Sequence, residues 1–451
     1  MTADLEQFFQ ATDPSRTLVI DKAEDEKVYI DFSSVRGGDI IKKLKQKITV
    51  LKPNQPTCAL FTGHIGCGKS TELIRLKKEL EEKGFHVVYF ESSEDLEMTD
   101  VDIADILLAI ARRISQSLEE TTIRVKANGF KSLLQSVAQV LNNANETNLK
   151  VTIPGLGDFG ISNNEQEFSL AFGIGEITAK AKSDSGLREK LNQFLGPKKT
   201  ELLRLINQEL LEPAIANLKA NGKKGLVTIV DNLDRIDSRP KSWGRPQQEY
   251  LFVDQAEFLT RLNCHLIYTM PLSLKFSNDY GNLTQRFLED PKILPMVPVK
   301  LQDGSTHEEG MRLLKQMVLA RAFPDLDEEE RLNNITEIFD SEESLERLCQ
   351  VSGGHVRDLL RLLNEWIAEE MELPLTKKTL ERTIKTRCNE MVLPISKEEW
   401  ELLREVRETK EVNDDQGYQK LIRSRFVFEY RDEGEVWFDI NPVLAEAKQL
   451  K

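Results

Sequence analysis

The chain has 451 residues, enough for several domains and a sizeable core, and a formal net charge of −14 from 75 acidic and 61 basic side chains. That balance argues against a strongly basic nucleic-acid or membrane-surface protein overall, while leaving room for one local basic face. Five scattered cysteines, with no C-x-x-C pair, give no zinc or disulfide framework and suit a reducing cytoplasm; the acidic, polar start reads as no signal peptide, and no apolar run of about eighteen residues suggests a membrane span.

Residues 1–28 read as an acidic N-terminal arm. Val28 to Phe32 leads into Val35-Arg36-Gly37-Gly38 and then a helix-like stretch from Asp39 to Ile48. Arg36 and the Gly37-Gly38 bend are candidates either for packing on an adenine ring or for an ordinary turn. Thr57 to Thr62 reads as a buried strand. Directly after it, Gly63-His64-Ile65-Gly66-Cys67-Gly68-Lys69-Ser70 fits G-x-x-x-x-G-K-[ST]. Glycines let this backbone turn tightly so that its N–H groups face the α- and β-phosphates. Lys69 reaches the β/γ-phosphates and the Ser70 hydroxyl ligates Mg²⁺. Cys67 reads as a small tolerated side chain, with an oxidation-sensitive thiol as the alternative. Thr71 opens a helix running to Leu80, with Leu73, Leu76 and Leu80 on one face, and strand–loop–helix is the order that phosphate binding requires.

His86 to Phe90 reads as a second buried strand. Thr99 to Asp102 has the form of a capping box, and the helix after it carries Ile103, Ile106, Leu107, Ile110 and Ile114 on one face. The rhythm so far is that of a parallel sheet covered by helices. Residues from about 120 to 220 interrupt it as an inserted segment. Within it, Val151 to Lys180 alternates apolar residues with Gly and Asn, which predicts a β-hairpin or two, either an inserted structural hairpin or a membrane-touching or partner-binding element. Leu187 to Lys219 reads as helix, broken near Gly196-Pro197 and bent near Pro213.

Gly225 to Asp231 is an apolar strand ending in an acid, followed by Asn232-Leu233-Asp234-Arg235. Asp231 is placed to hold Mg²⁺ opposite the phosphate loop. Asn232 can orient water but cannot take its proton, so Asp234 is the candidate base, with a salt bridge or turn role as its plain alternative. Cys264 to Thr269 is a further strand whose polar tip, Thr269, is a γ-phosphate sensor candidate. Arg286 precedes the apolar stretch Ile293–Val299 and is an arginine-finger candidate toward a neighbouring subunit, or an ordinary surface ion pair. Ser305 to Glu308 has capping-box form and opens a helical region at 301–390. There Gly353-Gly354 precedes an amphipathic helix whose Arg357 is positioned to fold back onto the phosphates. The tail, 391–451, reads as two helices and a hairpin, a winged-helix-like unit. With ten basic and fourteen acidic residues from 392 to 451, it suits protein packing better than DNA binding through Lys420, Arg423 and Arg425.

The order of these motifs resembles the AAA+/STAND group of P-loop ATPases, most closely its origin-recognition-type branch. The stretch Val230 to Arg235 is also similar to the KAP P-loop NTPases, which often carry long insertions before that motif. The resemblance implies an α/β fold: a P-loop NTPase core with a parallel sheet at 29–300, a helical lid at 301–390 and the winged-helix-like domain. It implies ATP and Mg²⁺ as cofactors, and a conformational or oligomerisation switch working by self-association or with a protein partner, in a role such as bacterial signalling or defence. The alternatives are a DNA-binding ATPase and a nucleotide-binding scaffold without turnover. Asn232 departs from the acid usual at that place, and the long insertion departs from most origin-recognition-type proteins.

Overall fold

The structure, a computed structural model, describes residues 4–121, 123, 125, 127–143, 169–413, 416–432 and 434–450. Its centre is a five-stranded parallel sheet: β1 (Cys58–Gly63), β2 (His86–Glu91), β3 (Leu226–Asp231), β4 (His265–Thr269) and β5 (Lys292–Leu294), in the order β2-β3-β4-β1-β5. These strands read as continuous apolar runs because helices cover both sheet faces, and β3 and β4 are buried along their whole length. Parallel strands bring their C-terminal tips to one edge. Gly63, Glu91, Asp231 and Thr269 therefore meet there, with Glu91 directly in register with Asp231. A crevice at this edge is where open α/β sheets bind ligands.

The helix Lys69–Glu82 follows the phosphate loop and buries Leu73, Leu76 and Leu80. The helix Ile103–Glu120 buries the expected apolar face, but its cap is displaced: Asp102, not Thr99, is the N-cap, paired with Asp105. Ser305 likewise gives way to His307 as the N-cap of Glu308–Ala322. β5 is shorter than the apolar stretch Ile293–Val299 predicts. Pro295 and Pro298 have no N–H to continue a ladder, and the Met296 N–H goes to the Glu429 carbonyl instead.

The inserted region is helical where it is described: Asn128–Asn143, Leu170–Ser183, Ser185–Leu195, Lys199–Leu205, a π turn at Ile206–Leu211 and Glu212–Ala220. The hairpin expected over Val151–Lys180 is corrected at its C-terminal end; residues 151–168 lie outside the described residues. Leu170, Ile174, Ile177 and Ala181 recur at helical spacing and join one core with Ile106, Ile110 and Ile114, while Phe172 stays exposed. Helical burial against an existing apolar face overrides the local alternation. The break at Gly196-Pro197 and the π turn before Pro213 fall where the sequence predicts interruption.

The helices from Glu308 to Val392 share one apolar core with the helices Lys397–Thr409 and Gln416–Arg423. The latter two precede an antiparallel hairpin, β6 (Val427–Asp432) and β7 (Glu435–Ile440). The core thus runs continuously across residue 390. One side of the hairpin (Phe428, Tyr430, Trp437) packs with Phe61, Leu294 and Met296 of the sheet. The N-terminal arm is packed rather than loose. It forms the helices Leu5–Ala11 and Ala23–Val28, buries Phe8, and receives hydrogen bonds from Asn364 at the Phe9 carbonyl (3.1 Å) and the Thr12 hydroxyl (3.1 Å). Among the described residues, no helix is long and apolar enough to cross a membrane.

Candidate nucleotide site

Gly66 and Gly68 adopt φ of +96° and +103°, conformations that L side chains rarely take, so the loop wraps back over the start of the helix Lys69–Glu82. A Cβ at Gly68 would meet nothing within 4 Å, so this side of the loop is open. A Cβ at Gly66 would lie 2.7 Å from His355 and 3.0 Å from Arg357, so that side is pressed against the start of the helix Val356–Glu370. The cleft above the loop is lined by Ile65, Gly66, Gly68, Lys69, Ser70, Thr71, Asp231, Asn232, Asp234, Arg235, Val356, Arg357 and Leu360. Pro14, Arg16 and Thr17 of the N-terminal segment close it from outside. Of these lining residues, Ile65, Gly66, Gly68, Lys69, Ser70, Thr71, Asp231, Asn232, Asp234 and Arg357 are among the expected site residues; Arg235, Val356, Leu360 and the three of the N-terminal segment are not.

The residues suit a triphosphate. Lys69 is buried, donates to the carbonyls of Gly63 (2.8 Å) and His64 (2.9 Å), and pairs with Asp234 at 2.9 Å. Burial works against its charge, but the Asp234 carboxylate outweighs that and holds the ammonium above its usual pKa. The other Asp234 oxygen is buried with no hydrogen-bond partner. Asp231 accepts a hydrogen bond from the Tyr89 hydroxyl (2.9 Å), which stands between it and Ser70. Arg357 is pulled below its usual pKa by burial and by the nearby guanidiniums of Arg235, Arg425 and Arg361. Of these, Arg235 and Arg357 both line the cleft, and a polyanion seated there relieves their repulsion. Ser70 and Asp231 are the oxygen donors that would hold Mg²⁺, a hard cation bound through one or two such groups plus phosphate oxygens.

The cleft itself holds only about 60 Å³, whereas nucleotide-sized ligands fill sites of ~300 Å³ or more. Seating a nucleotide therefore requires segment 14–17 or the helix Val356–Glu370 to move off the loop. On the far side of Asp234 a second cavity of about 390 Å³ is bounded by Gly63, His64, Arg235, Ser273, Arg423 and Arg425.

Gly63, His64 and Cys67 of the loop do not line the cleft, and Arg36, Thr269 and Arg286 lie elsewhere. Arg36 does not line the cleft. It is buried under Phe32, donates to the Cys67 carbonyl at 2.9 Å and so braces the loop from behind, next to the Gly37-Gly38 turn. Thr269 is fully buried, and its hydroxyl accepts the Leu233 N–H at 2.9 Å, fixing the turn after Asp231 rather than reaching the cleft. Arg286 is exposed on the helix Tyr280–Phe287 and does not line the cleft. Cys67 is buried, its thiol 3.7 Å from the Leu294 carbonyl.

Two histidines tie the loop to the rest of the molecule. His355 caps the helix Val356–Glu370 through Nδ1, which accepts the Asp358 N–H at 3.0 Å. Its Nε2 donates to the Ile65 carbonyl at 2.9 Å, and the Arg357 N–H reaches the Gly66 carbonyl at 3.2 Å. His64 Nε2 accepts the Glu429 N–H from the hairpin at 3.1 Å. Between the two imidazoles lies Phe428, edge-on to His64 and stacked on His355, each at 5.5 Å. Both histidines are buried, and burial lowers both pKa values, that of His64 strongly. The unfolded state then binds more protons below the ordinary histidine pKa of about 6.5, so stability falls as pH drops through that point, by at most ~1.4 kcal/mol per unit and histidine. Thermal melts from pH 7.5 to 5 are expected to show this fall, and His64→Gln, which keeps an acceptor for the Glu429 N–H, to flatten it; parallel slopes in the two proteins would refute the assignment.

Residues 38–241 match a family model described as the KAP family P-loop domain. Solved structures similar to this chain along most of its length include the following three. The Walker-type ATPase PABY2304 of Pyrococcus abyssi is 14% identical, covers 96% of this chain and 98% of its own, and has a TM-score of 0.41. Cdc6p from Pyrobaculum aerophilum gives 12%, 93%, 94% and 0.38 in the same order. The ORC2 protein of Aeropyrum pernix gives 11%, 96%, 93% and 0.39. No curated protein matches the sequence. With its glycine-lined loop on a five-stranded parallel sheet and an acid at the tip of β3, the chain carries a P-loop NTPase core, similar over residues 38–241 to the KAP family.

Proposed function

We propose that the protein binds ATP with Mg²⁺, hydrolyses it, and uses the cycle as a conformational switch between its phosphate loop and its helical lid and C-terminal hairpin. One observation carries this reading. Lid and hairpin both bond to the loop itself, through Ile65, Gly66 and His64. A loop that rearranges around phosphates changes all of these bonds at once. Lys69 exchanges Asp234 for phosphate oxygens, and Arg357 turns from its crowded neighbours to the same anion. Mg²⁺ held by Ser70 and Asp231 would neutralise charge on the phosphates and orient them. The exposed Arg286 is available to a second copy of the chain. The tail's basic residues favour this packing role over DNA binding: Lys420 pairs with Glu399 at 2.9 Å, and Arg423 and Arg425 line the cavity beside the loop.

Calorimetric titration tests the reading. ATP with Mg²⁺ is expected to bind, and Asp231→Asn to weaken that binding about tenfold while leaving metal-free ATP binding unchanged, as loss of one charged contact implies. Absence of any association at millimolar ATP would overturn the proposal.

A further inference from the structure

Hydrolysis needs an acceptor for the proton of the attacking water, and the tip of β3 is not the one place to find it. Asp231 already accepts from Tyr89 and belongs with the metal; Asn232 is an amide; Asp234 holds Lys69 in the empty loop and is the competing acid once phosphate takes that ammonium. The neighbouring strand offers a carboxylate. Glu91, the last residue of β2, sits in register with Asp231 and accepts a hydrogen bond from Asn232 Nδ2 at 2.6 Å. Asn232 lines the cleft and is held at φ +64°, a left-handed conformation that asparagine tolerates. The turn that follows Glu91 is anchored independently. Asp95 pairs with Arg113 at 2.7 Å, and Lys182, from the inserted helices, donates to the Ser93 carbonyl at 2.9 Å.

We propose that Glu91 is the general base of the reaction and that Asn232 is its tether. This rests on the hydrolysis reading above. The water oxygen forms a bond to the γ-phosphorus while the bond from that phosphorus to the bridging oxygen breaks, and its electron pair leaves with ADP. The water proton passes to the Glu91 carboxylate and is released to solvent after phosphate departs. Asn232, which lines the cleft, holds Glu91 at the sheet edge through its N–H and carries no charge that would repel the γ-phosphate.

Glu91→Gln keeps an oxygen for Asn232 but removes the base. It is expected to lower kcat at least 100-fold, within the range for a lost general base, with ATP affinity changed less than about threefold by calorimetry, as expected when only a transition-state interaction is lost. The acid limb of the pH–kcat profile is expected to vanish with it. Adding Asn232→Asp to Glu91→Gln returns a carboxylate to the pair from the other strand and is expected to recover about tenfold of that base contribution. A Glu91→Gln protein that turns over within threefold of the parent, or a loss of activity matched by a loss of ATP binding, would overturn the assignment; so would recovery of activity in Glu91→Gln combined with a full loss in Asp234→Asn. If the parent protein binds ATP yet never hydrolyses it, the hydrolysis reading falls and the base with it, whereas an active parent with an active Glu91→Gln variant removes only the base.

Discussion

Lys69→Ala is expected to cut ATP affinity by at least 100-fold and, separately, to destabilise the nucleotide-free protein by about 3 kcal/mol. The first effect follows from removing the loop cation that, with Arg357, is proposed to reach the phosphates; charge-assisted bonds in a dry site contribute ~1.5–3 kcal/mol each, and 1.4 kcal/mol is tenfold in affinity. The second follows from what Lys69 does in the empty loop. Its ammonium lies 2.9 Å from Asp234, both side chains are about 5% exposed, and the second Asp234 oxygen has no partner. Removing one member of such a buried pair leaves an uncompensated charge, which costs ~3–5 kcal/mol. The carbonyls of Gly63 and His64 lose their donor as well. The two effects separate in Lys69→Met/Asp234→Asn, where the stray charge is gone. Urea unfolding of the double variant is expected to recover most of the lost stability, while calorimetry still detects no tight ATP binding. Unchanged ATP affinity in Lys69→Ala would remove the phosphate loop from the nucleotide site.

The sequence carried the fold's centre because its signals are local. Gly63 to Ser70 is a contiguous pattern, and each core strand is an unbroken apolar run between turn residues. Local signals also explain the errors. A Ser or Thr three places before an acid has the form of a cap at Thr99 and Ser305, but the helices begin at the residue whose own side chain meets the free N–H groups, Asp102 and His307. The alternation around Leu170 is overridden by an apolar helix already waiting to be covered. Glu91 was legible by the same rule that marks Asp231, an acid ending a buried strand, yet its meaning depends on which strands become neighbours. The segment Pro14–Thr17 and the His64–Phe428–His355 stack join residues hundreds of positions apart, and nothing in either stretch alone announces the other.

Phe428→Ala is expected to release the hairpin from the phosphate loop at a cost of about 3–5 kcal/mol, the usual penalty for truncating a buried phenylalanine. The ring is fully buried where three elements meet: the loop through His64, the lid through His355, and its own strand β6. Its removal leaves a void that none of the three can fill without shifting, so the loss falls on the contact between them rather than within any one. Hydrogen exchange is expected to accelerate across 427–440 and at 353–358, with the helices of 170–220 unchanged. The nucleotide should respond in the same variant. The cleft of about 60 Å³ must widen before ATP enters, so the compact arrangement taxes binding by the fraction of time it is open. Loosening the stack raises that fraction, and ATP association is expected to speed up several-fold in stopped-flow measurements. Phe428→Leu, which fills most of the volume, should show a fraction of both changes. Faster exchange with an unchanged association rate would mean that the hairpin is packed against the loop without governing it, and the switch would then reside in the lid alone.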